Sequence, residues 1–175
     1  MEYISKSEEE TLKIAGEFAS SLEGHLQGGP AFAQSYGEAR ARVVGLYGEL
    51  GAGKTQFMKG VAKYFGIDET IQSPTFVIMK TYKTSPPSPL SLTRRGGKEN
   101  ESSLGGEVIE HLIHIDAYRI EKSSEMINLG WDEIIADPHS IIFIEWPERI
   151  ADIMPNHLKI IFEHISPNER KITIK

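Results

Sequence analysis

Apolar positions recur along the chain with two different periods. Between residues 7 and about 26, Ile14, Phe18 and Leu22 repeat at every fourth position with Ala15 and Ala19 beside them, which gives a helix one apolar stripe. Ser7 and Glu10 fit a capping box at its start. Glu8, Glu9 and Glu10 stand in the first turn, where the helix dipole favours negative charge. Residues 41–47 (ARVVGLY) form a short apolar run of strand type. The segment TQFMKGVAKYFG that follows is helical, with Phe57, Val61 and Tyr64 or Phe65 on one face and Gly66 placed to end it. Residues 76–82 (FVIMKTY) and 108–115 (VIEHLIHI) predict two more strands. Residues 123–129 and 132–136 predict short helical pieces around Gly130, and 147–154 a helical turn stopped by Pro155. Residues 141–144 (IIFI) are apolar throughout, as a strand buried on both faces requires. Residues 157–165 and 170–174 alternate and predict a closing antiparallel hairpin.

Two stretches carry no such pattern. One is a loop near Gly28–Pro30. The other, 84–107, holds Pro86, Pro87, Pro89, Gly96, Gly97, Gly105 and Gly106 with almost no large apolar residue, and reads as a mobile hairpin-like insertion. Arg94 and Arg95 within it read as solvated loop charge. There is no internal repeat, and 175 residues suit a single domain spanning 1–175.

Composition narrows the chemistry. Hydrophobic residues make up 39% and charged residues 25%, which is ordinary for a globular chain. The absence of cysteine excludes disulfides, zinc–thiolate sites, iron–sulfur clusters and cysteine nucleophiles. A net charge of −6 argues against a chain that grips a nucleic-acid backbone by itself. No apolar run approaches the roughly 18 residues of a membrane span, and the acidic start MEYISKSEEE is unlike a secretory signal. A soluble, cytoplasmic protein with no membrane association is expected.

One segment carries specific chemistry. Gly48-Glu49-Leu50-Gly51-Ala52-Gly53-Lys54-Thr55 matches G-x-x-x-x-G-K-S/T in full, between a strand-like run and an amphipathic helix. Glycines at 48, 51 and 53 let the backbone present several N–H groups as a concave nest for phosphate. The following helix adds its positive end. Lys54 can span the β- and γ-phosphates, and the Thr55 hydroxyl is placed to ligate Mg²⁺. Such a site needs a carboxylate at the end of a buried strand, and LIHID ends in Asp116 while IIFIE ends in Glu145. Glu145 follows the more apolar strand and is favoured as the metal carboxylate, leaving Asp116 to orient or polarise the attacking water. Ser73-Pro74-Thr75-Phe76 stands where a γ-phosphate switch could lie, although it also reads as a plain turn. His114, Tyr118 and Arg119 flank Asp116; His114, in an apolar strand, reads as a satisfied core residue. Trp146 is either core or a lid over the site.

The ordered set GELGAGKT, SPTF, HIDAYR and EWPE resembles the TsaE (YjeE) family, the ATPase component of bacterial tRNA threonylcarbamoyladenosine biosynthesis. The opening SEEETLKIAGEFA also looks like that family's N-terminal helix. The resemblance implies an α/β, P-loop NTPase-like three-layer fold, with a mixed, mainly parallel central sheet flanked by helices and a C-terminal antiparallel hairpin. It implies ATP binding and slow hydrolysis that depends on a complex with TsaB and TsaD, with tRNA engaged indirectly through that complex. By the resemblance, Leu50, Gly51, Ala52, Gly53, Lys54 and Thr55 match the phosphate-binding stretch, to which the motif adds Gly48, and Thr55 and Glu145 match the Mg²⁺ ligands. Lys54, Asp116 and Glu145 become the catalytic set. Trp146 and Glu148 neighbour the nucleotide, Glu8 and Thr11 lie near the base, and Arg170 matches a late basic residue. The stretch 84–107 is longer than the family's usual hairpin connection. Two other readings share the phosphate loop: a small-molecule kinase, and a nucleotide-gated binding module with incidental turnover.

Overall fold

The computed structural model describes residues 1–24, 40–74, 77–85 and 109–175. The loop near 28–30, Thr75 and Phe76 of the SPTF segment, and the insertion at 84–107 apart from Thr84 and Ser85 lie outside the described residues.

Seven strands form one sheet: β1 (Glu2–Ser5), β2 (Arg42–Tyr47), β3 (Met79–Lys83), β4 (His111–Asp116), β5 (Ser140–Glu145), β6 (Leu158–His164) and β7 (Arg170–Ile174). Their order is β1-β7-β6-β2-β5-β4-β3. The centre, β6-β2-β5-β4, is parallel. Both edges are antiparallel, through β1-β7-β6 on one side and β3-β4 on the other. The mixed sheet that the family resemblance implies and the closing hairpin expected from the residue pattern are both present.

Strand alternation divides the core in two. Val44, Leu46, Leu112, Ile141 and Phe143 face α1 (Glu8–Gly24) and α2 (Lys54–Tyr64). Val43, Ile113, Ile115, Ile142 and Ile144 face the other way, onto Met126 of α3 (Ser124–Asn128), Trp131 of α4 (Trp131–Ala136) and Ile150. Helices therefore cover both faces of the parallel centre, as its unbroken apolar strands demand. The expected stripe of α1 is buried at Ala15, Phe18, Ala19 and Leu22, with the Phe18 ring 5.6 Å from Phe57 and 6.4 Å from Phe143. At its N-terminus the Glu10 amide donates to Ser7 Oγ at 3.2 Å. The return bond comes from the Lys6 amide to Glu10 Oε2 at 2.6 Å, one residue earlier than a standard capping box has it.

One strand start and one whole element depart most from the expected pattern. β3 begins at Met79 because the Val77 and Ile78 amides both donate to the Pro74 carbonyl, and Ile78 sits at φ 66. β1 is an element the residue pattern did not announce: four residues with mixed polarity, ordered by pairing with β7 and by the terminal ammonium donating to the Ile174 carbonyl at 2.7 Å.

Gly60 is a point of close approach between α1 and α2. A Cβ there would stand 2.6 Å from the Leu12 carbonyl and 2.6 Å from Ala15 Cβ. Alanine is the better helix former by about 1 kcal/mol, yet Gly60→Ala is expected to destabilise the chain by roughly 1–3 kcal/mol because two backbones must separate. Urea unfolding of the pair of proteins checks this; a more stable variant would refute the close packing.

Candidate functional site

The parallel strands β2, β5 and β4 end at the same edge of the sheet. β2 runs into Gly48, β5 ends at Glu145 and β4 at Asp116, and the register sets Glu145 opposite both Leu46 and Asp116. By strand period, Glu145 shares a face with Phe143 and Asp116 with Leu112, the face covered by α1 and α2. Asp116 and Glu145 are buried.

The loop from 48 to 53 turns through three glycines at positive φ: Gly48 at 141, Gly51 at 79 and Gly53 at 104. Gly48 also lies against β6, since a Cβ would come within 2.5 Å of the Phe162 carbonyl. Gly53 supports the guanidinium of Arg170, which a Cβ would meet at 3.0 Å. α2 starts immediately after Gly53, so its unpaired first amides open on the loop.

Lys54 is 4% exposed. Its ammonium donates to the carbonyls of Gly48 at 2.6 Å and Glu49 at 2.9 Å, and lies 4.4 Å from the centre of the Trp146 ring. Burial pushes its pKa down, while the negative charges of Glu145, Glu148 and Asp116 push it back up. Trp146 holds φ 58, a left-handed backbone that turns its ring over Lys54. Trp146 packs against the second core and borders the cavity at once, with Tyr118 5.2 Å away as a second aromatic wall.

The acids are held separately. Glu145 Oε1 accepts from Thr55 Oγ1 at 3.1 Å and from His114 Nε2 at 2.9 Å. Asp116 Oδ2 accepts from Ser73 Oγ at 2.6 Å, and its Oδ1 from the Tyr118 amide at 3.0 Å. Asp116 thus caps the short 3-10 turn Ala117–Arg119 with one oxygen and meets the 73–76 segment with the other. Two oxygens that share an octahedral Mg²⁺ at about 2.1 Å stand roughly 3.0 Å apart. The Thr55 and Glu145 oxygens, at 3.1 Å, fit that requirement.

These groups line a cavity of about 430 Å³. Glu8, Leu50, Gly51, Gly53, Lys54, Thr55, Asp116, Glu145 and Trp146 border it, joined by Gln56, Ser73, Tyr118 and Arg170. Four residues expected at the site do not line it. Gly48 contributes its carbonyl to Lys54, and Ala52 is buried in the core beneath the loop. Thr11 is fully buried, its hydroxyl 2.7 Å from Ser5 Oγ and donating to the Ser7 carbonyl at 3.1 Å. Glu148 is exposed beyond Pro147 and reaches Lys54 through its charge. His114 is a core residue but not the fully satisfied one expected: its Nε2 bonds to the predicted metal carboxylate, while its Nδ1 has no partner among the described residues.

A model of the family described as "Threonylcarbamoyl adenosine biosynthesis protein TsaE" matches residues 5–94 and 98–172. The chain belongs to the TsaE family. A protein of Aquifex aeolicus named tRNA threonylcarbamoyladenosine biosynthesis protein TsaE is 30% identical over 175 residues, covering 99% of this chain and 94% of its own. Its namesake in Bacillus subtilis is 35% identical over 132 residues, 75% of this chain and 67% of the relative. The crystal structure of B. subtilis YdiB superposes with a TM-score of 0.62 at 27% identity, covering 99% of this chain and 83% of that one. No helix among the described residues is long and apolar enough to cross a membrane.

The TsaE loop gives a graded test of backbone need. Gly51 has nothing within 4 Å of its missing Cβ, so Gly51→Ala carries only the left-handed penalty, about 1–2 kcal/mol. Gly48→Ala adds a collision with the Phe162 carbonyl and is expected to cost more, on the order of 3 kcal/mol. Thermal melts of both variants decide it, and equal costs would mean the loop does not rest on β6.

Proposed function

We propose that this TsaE-family chain binds ATP with Mg²⁺ in the cavity at the carboxyl edge of β2, β5 and β4 and hydrolyses it. It acts as the ATPase component of a cytoplasmic complex with TsaB and TsaD that threonylcarbamoylates adenosine beside the tRNA anticodon. The observation that carries the reading is the convergence of the glycine loop, Lys54, Thr55 and Glu145 on one cavity. The names of the relatives support the pathway.

The chain's own groups divide the work. Amides of the loop and of the first turn of α2 cradle the phosphates. Lys54 exchanges the carbonyls of Gly48 and Glu49 for phosphate oxygens. Thr55 and Glu145 would hold the metal, which would supply positive charge to offset that of the phosphates. Asp116, fixed by Ser73 and the Tyr118 amide, orients the attacking water. Trp146 keeps bulk water off the lysine. With a net charge of −6, the chain leaves RNA contact to its partners.

The deciding experiment is phosphate release by the purified chain with and without TsaB–TsaD and tRNA, with no other acceptor present. Release that rises with the partners is expected; a phosphorylated small molecule would instead make the chain a kinase. Lys54→Ala removes a charge-assisted contact and is expected to weaken ATP·Mg²⁺ binding by about 10- to 100-fold in calorimetric titration. Glu145→Ala should still bind ATP in EDTA and lose partner-stimulated hydrolysis. Normal tRNA modification by that variant would leave turnover incidental and binding the function.

A further inference from the structure

His114 is fully buried in the middle of β4, paired in register with Phe143. It shares the α1/α2 face of the strand with Leu112 and Asp116. Its Nε2 stands 2.9 Å from Glu145 Oε1. A carboxylate oxygen accepts, so the hydrogen of that bond is on Nε2. Nδ1 is then left buried without a partner among the described residues. An apolar side chain would fill this place without stranding a nitrogen, so packing alone does not call for histidine.

The two donors on Glu145 Oε1 differ in freedom. Thr55 borders the cavity and its hydroxyl hydrogen turns about a single bond. The imidazole is enclosed by the core and keeps one orientation. We infer that His114 is a positioning residue, which fixes the Glu145 carboxylate so that its oxygens meet a divalent cation together with Thr55 Oγ1. The inference rests on the metal site proposed above and adds a residue to it. Hydrogen-bond partners behind a metal ligand typically contribute about 10- to 100-fold to metal affinity.

The test is Mn²⁺ binding, read by electron paramagnetic resonance, to the full chain saturated with a non-hydrolysable ATP analogue. His114→Leu is expected to weaken Mn²⁺ binding about tenfold, while affinity for the analogue in EDTA stays at the wild-type value. His114→Gln, whose amide nitrogen can take the place of Nε2, should restore most of the loss; His114→Asn, too short to reach Glu145, should not. If His114→Leu fails to fold, the Gln and Asn pair carries the comparison. Wild-type Mn²⁺ affinity in His114→Leu, or in Asn as in Gln, overturns the inference, as does an equal loss of analogue binding in EDTA. A wild-type chain that binds no Mn²⁺ with the analogue overturns the metal site itself, so the two failures are told apart.

Discussion

Everything at the candidate site depends on the in-register parallel pairing of β2, β5 and β4. Parallel strands bring their carboxyl ends to one edge, and the period of two then decides which side chains share a face there. A slip of one residue between β4 and β5 would send Asp116 or Glu145 to the wrong core, against Met126 and Trp131 rather than towards α2. The register is held by apolar residues on both faces, with Ile141, Ile142, Phe143 and Ile144 all at 0% exposure. The chemistry of the edge is therefore secured by residues that take no part in it.

The loop is tied to that frame from two sides. Gly48 lies on the Phe162 carbonyl of β6, and Gly53 supports the Arg170 side chain from the start of β7. The closing hairpin is thus more than an edge for the sheet, because it brings a cation to the mouth of the cavity. The first helix contributes from the opposite direction. Glu8, in its opening turn, borders the same space, while Thr11 one turn on is buried against Ser5 and Ser7.

Local pattern carried most of the fold. The stripe of α1, the strand–loop–helix unit and the apolar run of β5 each depend on near neighbours in the chain, and all are legible there. β1 was not, because four residues of mixed polarity become a strand only when β7 lies beside them. The early start expected for β3 failed for a local reason, the turn that commits the Val77 and Ile78 amides to Pro74. Within the site, Lys54, Thr55 and Glu145 were legible from a motif and a strand end. The part of His114 was hidden in its neighbours. Its place two residues before Asp116 set it on the right face, yet only the pairing of β4 with β5 brings it to Glu145. Ser73 and Arg170 were singled out by a motif and by the family resemblance, and the fold brings both to the cavity across long stretches of chain.

Lys54 already has acceptors of its own. In the structure its ammonium is satisfied by two main-chain oxygens and an aromatic ring, so an arriving anion competes with the protein's own acceptors. The affinity observed for any anion is then a difference between two satisfied states, smaller than the contact alone would supply. The same exchange runs in reverse when the anion departs, since the carbonyls are ready to take the cation back. A site arranged in this way lowers the net hold on any anion and eases its departure.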